Sequence, residues 1–536
     1  MTSKSDTRDF YVASAPPLGL YRLQHYIAGR GIKCDVLDLG VQRELEEKYL
    51  RMVEEGLYDI VGMSVTHRNM IPELETIWKF RVASEKSKKR CLFIAGGQDA
   101  TLNYKQWLNS GIDLILLGFA EKSLYELCLR LSKGQHIETG KMVEGMAGCA
   151  VRNSNNQIIY QPSEILTDSE FKEFSFSQIM ELDIPYEIYW KDLGKLDTVA
   201  NFHENKFVAK TVRLYTASHC PMNCGYCSSR SFIPESQKRK SPVFMLSASE
   251  VHQLIVHHVK KYGAMGFLFC EDDFMIGSPK GIQRVVDVCR LIARSKEDGT
   301  IPEDTLFNCQ ARIDDFLIRK GPNKKVVNLE VMDVLKRAGF RGFGIGVETF
   351  SDRLLKCKSV NKFAYSYQDS RLVLDSMLEK GLNPTINLIL AIPESTVEDM
   401  VHSMEVAVEY FEKGCQMAVS ALMDSFPGST IHGTKDYPAT TKEWKNPYTK
   451  EIVSIDDYFI PKNDRIASIT SRFREVSSDE LEKLKIDASW TNSAVPKPIT
   501  GLSNFIGISK LLGKHDLAKR FRDVTYEALC KETIFS

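Results

Sequence analysis

Cys220, Cys224 and Cys227 lie in one short run, His219-Cys-Pro-Met-Asn-Cys-Gly-Tyr-Cys-Ser228, at a C-x3-C-x2-C spacing. Three thiolates so spaced can bind three irons of a 4Fe–4S cluster and leave the fourth iron open. At an open iron a small molecule can bind and accept an electron. Structural zinc would call for four protein ligands, and no further Cys or His follows at a finger-like spacing. A second group is Glu271-Asp272-Asp273-Phe274, directly after a strand-like run. Carboxylates at a strand end can accept hydrogen bonds from an ammonium group and from ribose hydroxyls. Arg312 follows the next strand-like run, where a guanidinium can grip a carboxylate bidentately, which Lys does less well.

The elements that must carry these groups alternate between strand and helix. Strand-like runs at 10–14, 33–37, 60–65, 91–95 and 114–117 are separated by helical stretches such as 18–29, with Leu20, Leu23, Tyr26 and Ile27 at helical spacing. This is the pattern of a parallel sheet whose ligands bind beyond the strand ends. Small residues there, in the loops 15–19, 64–67, 96–98 and 118–121, let a large flat ligand or a phosphate approach the backbone. Residues 148–162 read as a hairpin with an Asn-rich turn, and 166–190 show no clear periodicity. Alternation resumes at 212–217, which delivers the cysteine loop, and continues through a helix at 248–262 started by Ser247 or Ser249. Strands follow at 266–270, 306–310, 342–347, 383–390 and 417–422. Glu348 ends one of them, and Asn387 is expected to point inward. The alternating glycines at 342, 344 and 346 suit a strand pressed by a cofactor. Cys270, Cys309 and Cys357 read as packing residues. Beyond 430 the pattern breaks, with helices expected at 478–485 and 512–528.

Composition narrows the classes. Of 536 residues, 43% are apolar and 26% charged, as in an ordinary globular chain of two or three domains. Lys+Arg and Asp+Glu balance at 70 each, so no net field draws the chain to nucleic acid or to an anionic membrane. Thirteen cysteines are scattered over a long chain rather than packed into a small one. The start, Met-Thr-Ser-Lys-Ser, has no apolar leader, and no stretch approaches the ~20 apolar residues of a spanning helix. A reducing cytoplasm is the expected location.

The cysteine run, with aromatic Tyr226 before the last cysteine, resembles the C-x3-C-x-aromatic-C signature of the radical S-adenosylmethionine (SAM) enzymes. The order of residues 15–39, 60–66, 93–101 and 114–124 closely resembles the cobalamin-binding domain that precedes the barrel in one large class of that family. Together the resemblances cover about residues 10–430. They imply an α/β chain with an N-terminal Rossmann-like cobalamin-binding domain (1–135), a connector with a hairpin (136–210), a partial (β/α)6 radical SAM barrel (211–430) and a mostly helical, substrate-shaping C-terminal region (431–536). The implied cofactors are a 4Fe–4S cluster on Cys220, Cys224 and Cys227, SAM and cobalamin. Implied contacts to cluster-bound SAM are Tyr226, Glu271, Asp272, Arg312, Glu348 and Asn387. Those to cobalamin are Leu18, Ser64, Thr66, Gly96, Gly97, Gly118 and Glu121. The D-x-H-x-x-G motif whose His coordinates cobalt is missing from this chain, which implies base-off cobalamin, with His67 or Arg68 beneath the corrin instead.

What the resemblance implies in function is methyl transfer to an unactivated carbon, or to phosphorus, of a small-molecule or natural-product intermediate through a 5′-deoxyadenosyl radical. An external electron donor such as flavodoxin or ferredoxin would serve it. The same domain order also accommodates a rearrangement, cyclisation, dehydration or other redox step without methyl transfer. A non-catalytic cobalamin or SAM sensor would call for a broken cluster motif, and the triad is intact.

Overall fold

The computed structural model describes residues 15–87, 89–134, 141–190, 210–321, 324–475, 499–500 and 502–521. Two sheets dominate it, the first mixed and the second parallel. The N-terminal sheet runs β1 (Ile60–Ser64), β2 (Leu92–Gly96), β3 (Leu114–Leu116), β4 (Cys149–Arg152) and β5 (Ile158–Gln161), in that spatial order. β1 to β3 are parallel, and β4 and β5 are the expected hairpin, laid antiparallel against β3 through Leu114–Val151 and Leu116–Cys149. β2 and β3 are buried on both faces, which explains their unbroken apolar runs. The helices Leu18–Ala28, Met70–Lys86 and Glu121–Ser132 flank this sheet.

The expected strand at 33–37 is extended backbone with a single bridge at Asp38, not a paired strand, while 10–14 lies outside the described residues. Residues 166–190, without periodicity in sequence, form short helical turns including Asp168–Lys172, Gln178–Glu181 and Tyr186–Trp190. Their Phe171, Phe174, Tyr186 and Tyr189 are buried. Tyr189 reaches Tyr21 of the N-terminal helix, hydroxyl to hydroxyl, at 3.2 Å. This stretch is mortar between the two sheets, so its apolar residues follow two surfaces rather than one period.

The second sheet is ordered β6 (Thr211–Leu214), β7 (Gly266–Phe269), β8 (Leu306–Ala311), β11 (Phe340–Glu348), β12 (Asn383–Ala391) and β13 (Gln416–Leu422), all parallel. A two-residue strand, β16 (Ile499–Thr500), adds to β13. A small antiparallel pair, β9 (Leu317–Arg319) and β10 (Lys325–Val327), interrupts the alternation. Among the described residues β6 and β13 do not pair, so the six-stranded unit stays open. The helix Ala248–Tyr262 starts at Ser247, whose hydroxyl accepts from the Glu250 amide, and stops at Gly263 with φ of 66°.

The region after 430 is less helical than expected. β14 (Ala439–Lys445) and β15 (Ile452–Phe459) form an antiparallel hairpin. It packs on the N-terminal sheet's core through Trp444 and Ile455, and Tyr448 stacks on Trp78 at 6.2 Å. Helices follow at Asp464–Glu475 and Leu502–Leu511. The expected helix at 512–528 turns at Gly513 and resumes at 515–521; the one at 478–485 and the rest of the last fall outside the described residues. Among the described residues no helix is long and apolar enough to cross a membrane, and every cysteine is free.

Candidate active site

The cysteine loop follows β6 and is gripped from several sides. The Ser218 amide donates to the Phe244 carbonyl at 2.9 Å, and the Gly225 amide to the Val360 carbonyl at 3.2 Å. Thr430 Oγ1 donates to the Gly225 carbonyl at 3.1 Å, Ser231 Oγ to that of Gly428 at 2.6 Å, and the Asn361 amide to that of Asn223. Gln98, from the N-terminal sheet's β2 loop, reaches Ser228 at 3.1 Å. Gly225 is pressed so closely onto 358–360 that a Cβ there would overlap the Lys358 carbonyl oxygen. The three cysteines are half-buried. Burial pushes the Cys227 thiol up to about 11 and raises that of Cys220 further. Among the described residues no three His, Cys, Asp or Glu side chains converge tightly enough to hold a single metal ion. Three sulfurs on one clamped loop instead suit the spread-out irons of a cluster.

Beside the loop, β7 ends in the acidic edge. Glu271 Oε1 accepts from the Thr216 amide, while its buried Oε2 has no partner among the described residues. Burial raises the Glu271 carboxyl, and nearby Arg284 offsets part of that. Asp272 is exposed to the cleft. Asp273 is fully buried, its Oδ1 accepting from the Met275 and Ile276 amides at 3.0 Å each. It faces buried Asp315; burial raises both carboxyls, and the charge of Asp273 pushes Asp315 up further.

The inward face of β8, β11 and β12 is polar. Gln310 and Asn308 lie across β11 exactly where its glycines are: a Cβ on Gly344 or Gly342 would overlap them. Asn387 points inward as expected and donates to Gln310 at 3.4 Å. The alternating glycines therefore make room for neighbouring side chains rather than for a cofactor. Glu348 ends β11 at φ of 64°, an uncommon conformation for a residue with a side chain. It accepts from buried Lys362 at 2.8 Å, and Tyr226 lies against it. Lys362 also donates to the Gly346 carbonyl, as does Tyr365 at 2.9 Å. Lys362→Met would strand the Glu348 carboxylate in the interior. It is expected to cost about 3–5 kcal/mol, seen as a lower denaturation midpoint, and Lys362→Met with Glu348→Gln should recover most of it.

The N-terminal loops face the same space. A single cavity of about 1410 Å³ is lined by Leu18, Ser64, Thr66, Gly96, Gly97, Gly118 and Glu121, and equally by Cys220, Glu271, Asp272 and Asp273. That exceeds the ~300–1,000 Å³ of an ordinary ligand pocket. Cys270, expected as packing, is half-buried on this wall, whereas Cys309 is buried and Cys357 half-buried elsewhere. Cys224, Cys227, Tyr226, Arg312, Glu348 and Asn387 do not line this cavity.

Three expected contacts are engaged otherwise. Glu121 is 1% exposed and paired with Arg22, whose guanidinium lies over Phe119. The Thr66 amide and hydroxyl both donate to buried Glu73. His67 is turned off the cavity wall, with Nδ1 3.7 Å from Asp99 Oδ1 and its ring edge-on to Phe426 at 5.7 Å. Burial lowers its pKa, so it stands neutral. Arg68 does line the cavity, held by Asp424 beyond the end of β13. Behind it, Ser425 Oγ meets His432 Nδ1 at 3.0 Å, and His432 Nε2 lies 3.6 Å from Asp456. The sequence reading missed Arg22, Lys362, Asp424 and His432 because their partners lie far along the chain.

Asp99 supplies a pH test. Burial raises its carboxyl to about 6, despite the hydrogen bond from Trp107. An unfolded Asp titrates near 3.9, so between about pH 4 and 6 the folded chain keeps a proton that the unfolded chain has lost. Asp99 therefore lowers stability as pH rises through that window, by roughly 2–3 kcal/mol in all. Asp99→Asn is expected to lose this decline when denaturation is compared at about pH 4 and about pH 7; equal slopes in variant and wild type would refute it.

Comparison with known proteins agrees with this geometry. The radical SAM superfamily model matches residues 214–407. No curated protein matches the chain. Among solved structures, the radical SAM methyltransferase TsrM from Kitasatospora setae, with tryptophan and a SAM analog bound, superposes with a TM-score of 0.60 at 14% identity, covering 95% of this chain and 96% of that one. TsrM with cobalamin and a [4Fe-4S] cluster gives 0.60 at 13% identity over the same shares. The cobalamin-dependent SAM radical enzyme OxsB with aqua-cobalamin gives 0.61 at 13%, covering 98% of this chain and 78% of that one. At such identities the likeness establishes the fold. Residues 214–407 thus form a radical SAM domain, within a chain that has the fold of the cobalamin-dependent radical SAM enzymes.

Proposed function

We propose that this chain is a cobalamin-dependent radical SAM enzyme that transfers a methyl group to an unactivated carbon, or to phosphorus, of a small-molecule intermediate. The observation that carries this reading is the single cavity shared by the N-terminal strand-end loops and the cysteine side of the second sheet. A methyl donor must lie within reach of the atom that reacts, and both sheets present their strand ends to that space. The fold likeness to TsrM and OxsB supports it.

When bound, the cluster with SAM would supply a carbon-centred radical, and cobalamin a methyl group. Cys220, Cys224 and Cys227 would hold the cluster. Glu271, with its partnerless Oε2, and Asp272 are placed to accept the SAM ammonium and ribose hydroxyls. Leu18, Ser64, Gly96, Gly97 and Gly118 would face the corrin and its tail. Tyr215 and Phe232, also on the wall, would keep water from a radical. The reducing electron would come from an external carrier of the flavodoxin or ferredoxin kind.

Protein made with cobalamin supplied is expected to keep roughly one corrinoid per chain after desalting. Turnover should then release both S-adenosylhomocysteine and 5′-deoxyadenosine. Missing corrin bands would end the methyl-transfer reading, and 5′-deoxyadenosine alone would favour a radical rearrangement or redox step. Because His67 is turned toward Asp99 and Phe426, His67→Ala should leave the visible spectrum of the bound corrinoid unchanged; a shifted spectrum would make His67 a cobalt ligand after all.

A further inference from the structure

Arg312, expected to grip the SAM carboxylate, is already held by this chain's own groups. Its Nε and Nη2 meet the two oxygens of Asp314 at 3.0 and 3.3 Å, and its backbone amide donates to Asp315 at 2.7 Å. The remaining edge is aimed at the cysteine loop, with Nη1 3.4 Å from Cys224 Sγ. The residue is 8% exposed, so this orientation is not a surface accident. A second cation, Lys362, is buried on the same side, near enough for its charge to act on Cys224, and is fixed there by Glu348 and the Gly346 carbonyl. The segment that carries Lys362 also supplies the Val360 carbonyl and the Asn361 amide that clamp the loop at Gly225 and Asn223.

We propose that Arg312 is a positioning residue for Cys224, donating to its sulfur and thereby raising the reduction potential of a cluster held by the cysteine loop. This rests on the radical SAM reading above. Hydrogen bonds to cluster sulfurs and nearby positive charge stabilise the reduced, more negative state, and so move the potential upward. A fork fixed by Asp314 loses little freedom in making this bond, which a flexible Lys would do less well.

The test is a potentiometric titration of the reconstituted protein, read by paramagnetic resonance, in which an added chemical reductant gives the cluster one electron and no bond breaks. Arg312→Gln is expected to keep its iron and to show a more negative midpoint. Arg312→Lys should recover part of the shift, and also serves if the Gln variant does not fold. SAM affinity, measured separately by equilibrium binding, should change less than about tenfold. An unmoved midpoint in both variants overturns the proposal. So does a large loss of SAM affinity at unchanged potential, which would return Arg312 to the SAM carboxylate. Wild-type protein that takes up no cluster would instead end the reading on which this one rests.

Discussion

Protein in which Cys220, Cys224 and Cys227 are all replaced by alanine is expected to bind no iron above background, where wild type reconstituted anaerobically binds about four irons per chain. The broad visible absorbance should vanish with it. The fold should survive, because the loop is fixed by backbone contacts to Val360, Thr430 and Phe244 rather than by the sulfurs. The cysteines are only half-buried, so truncation opens no large void. An unchanged circular dichroism spectrum would confirm that the loss is local. Full retention of iron in the triple variant would sink the assignment of the cluster to this loop.

Almost as large an effect is expected from a change that leaves every cysteine in place. In Gly225→Ala the added methyl would collide with the Lys358 carbonyl, and neither partner is a flexible side chain. The loop or the 358–361 segment must move, and with it the spacing of Cys224 and Cys227. Iron uptake should fall severely, with a lower thermal midpoint, while a Gly→Ala change at Gly321, where no atom lies within 4 Å and φ is not positive, serves as a control for iron uptake. Normal iron content in Gly225→Ala would show that the clamp at Val360 does not shape the site.

The difference between these two experiments mirrors what the sequence discloses. Cys220, Cys224 and Cys227 are legible because cluster chemistry depends on local spacing, and so are β2 and β3, apolar on two buried faces, and β8, β11 and β12, which alternate between a buried and a polar face. The clamp is not legible, since Gly225 and Lys358 are brought together only by the fold. The same limit explains His67: its position after β1 is plain, but its direction is set by Asp99 and Phe426. The β11 glycines signal a close approach correctly, yet the approaching groups are Asn308 and Gln310 from the next strand. The hairpin β14–β15 is hidden because its apolar residues, Trp444 and Ile455, answer to a core laid down by residues 37–160.

That hairpin bears on how the protein is made. Chains emerge from the ribosome N-terminus first, and domains usually close as they appear. Here the first sheet waits: its core is capped by residues synthesised some three hundred positions later, and Gln106 is joined to the Ser454 carbonyl across that gap. Until then the surface around Trp78, on which Tyr448 comes to stack, stays uncovered and prone to stray association. The cavity likewise has both walls only when translation has passed the second sheet, so cofactor loading belongs to the nearly finished chain. A shortened version ending near residue 430 would release the N-terminal sheet with an open apolar flank, and is best replaced by variants of the whole chain when the two halves are studied apart.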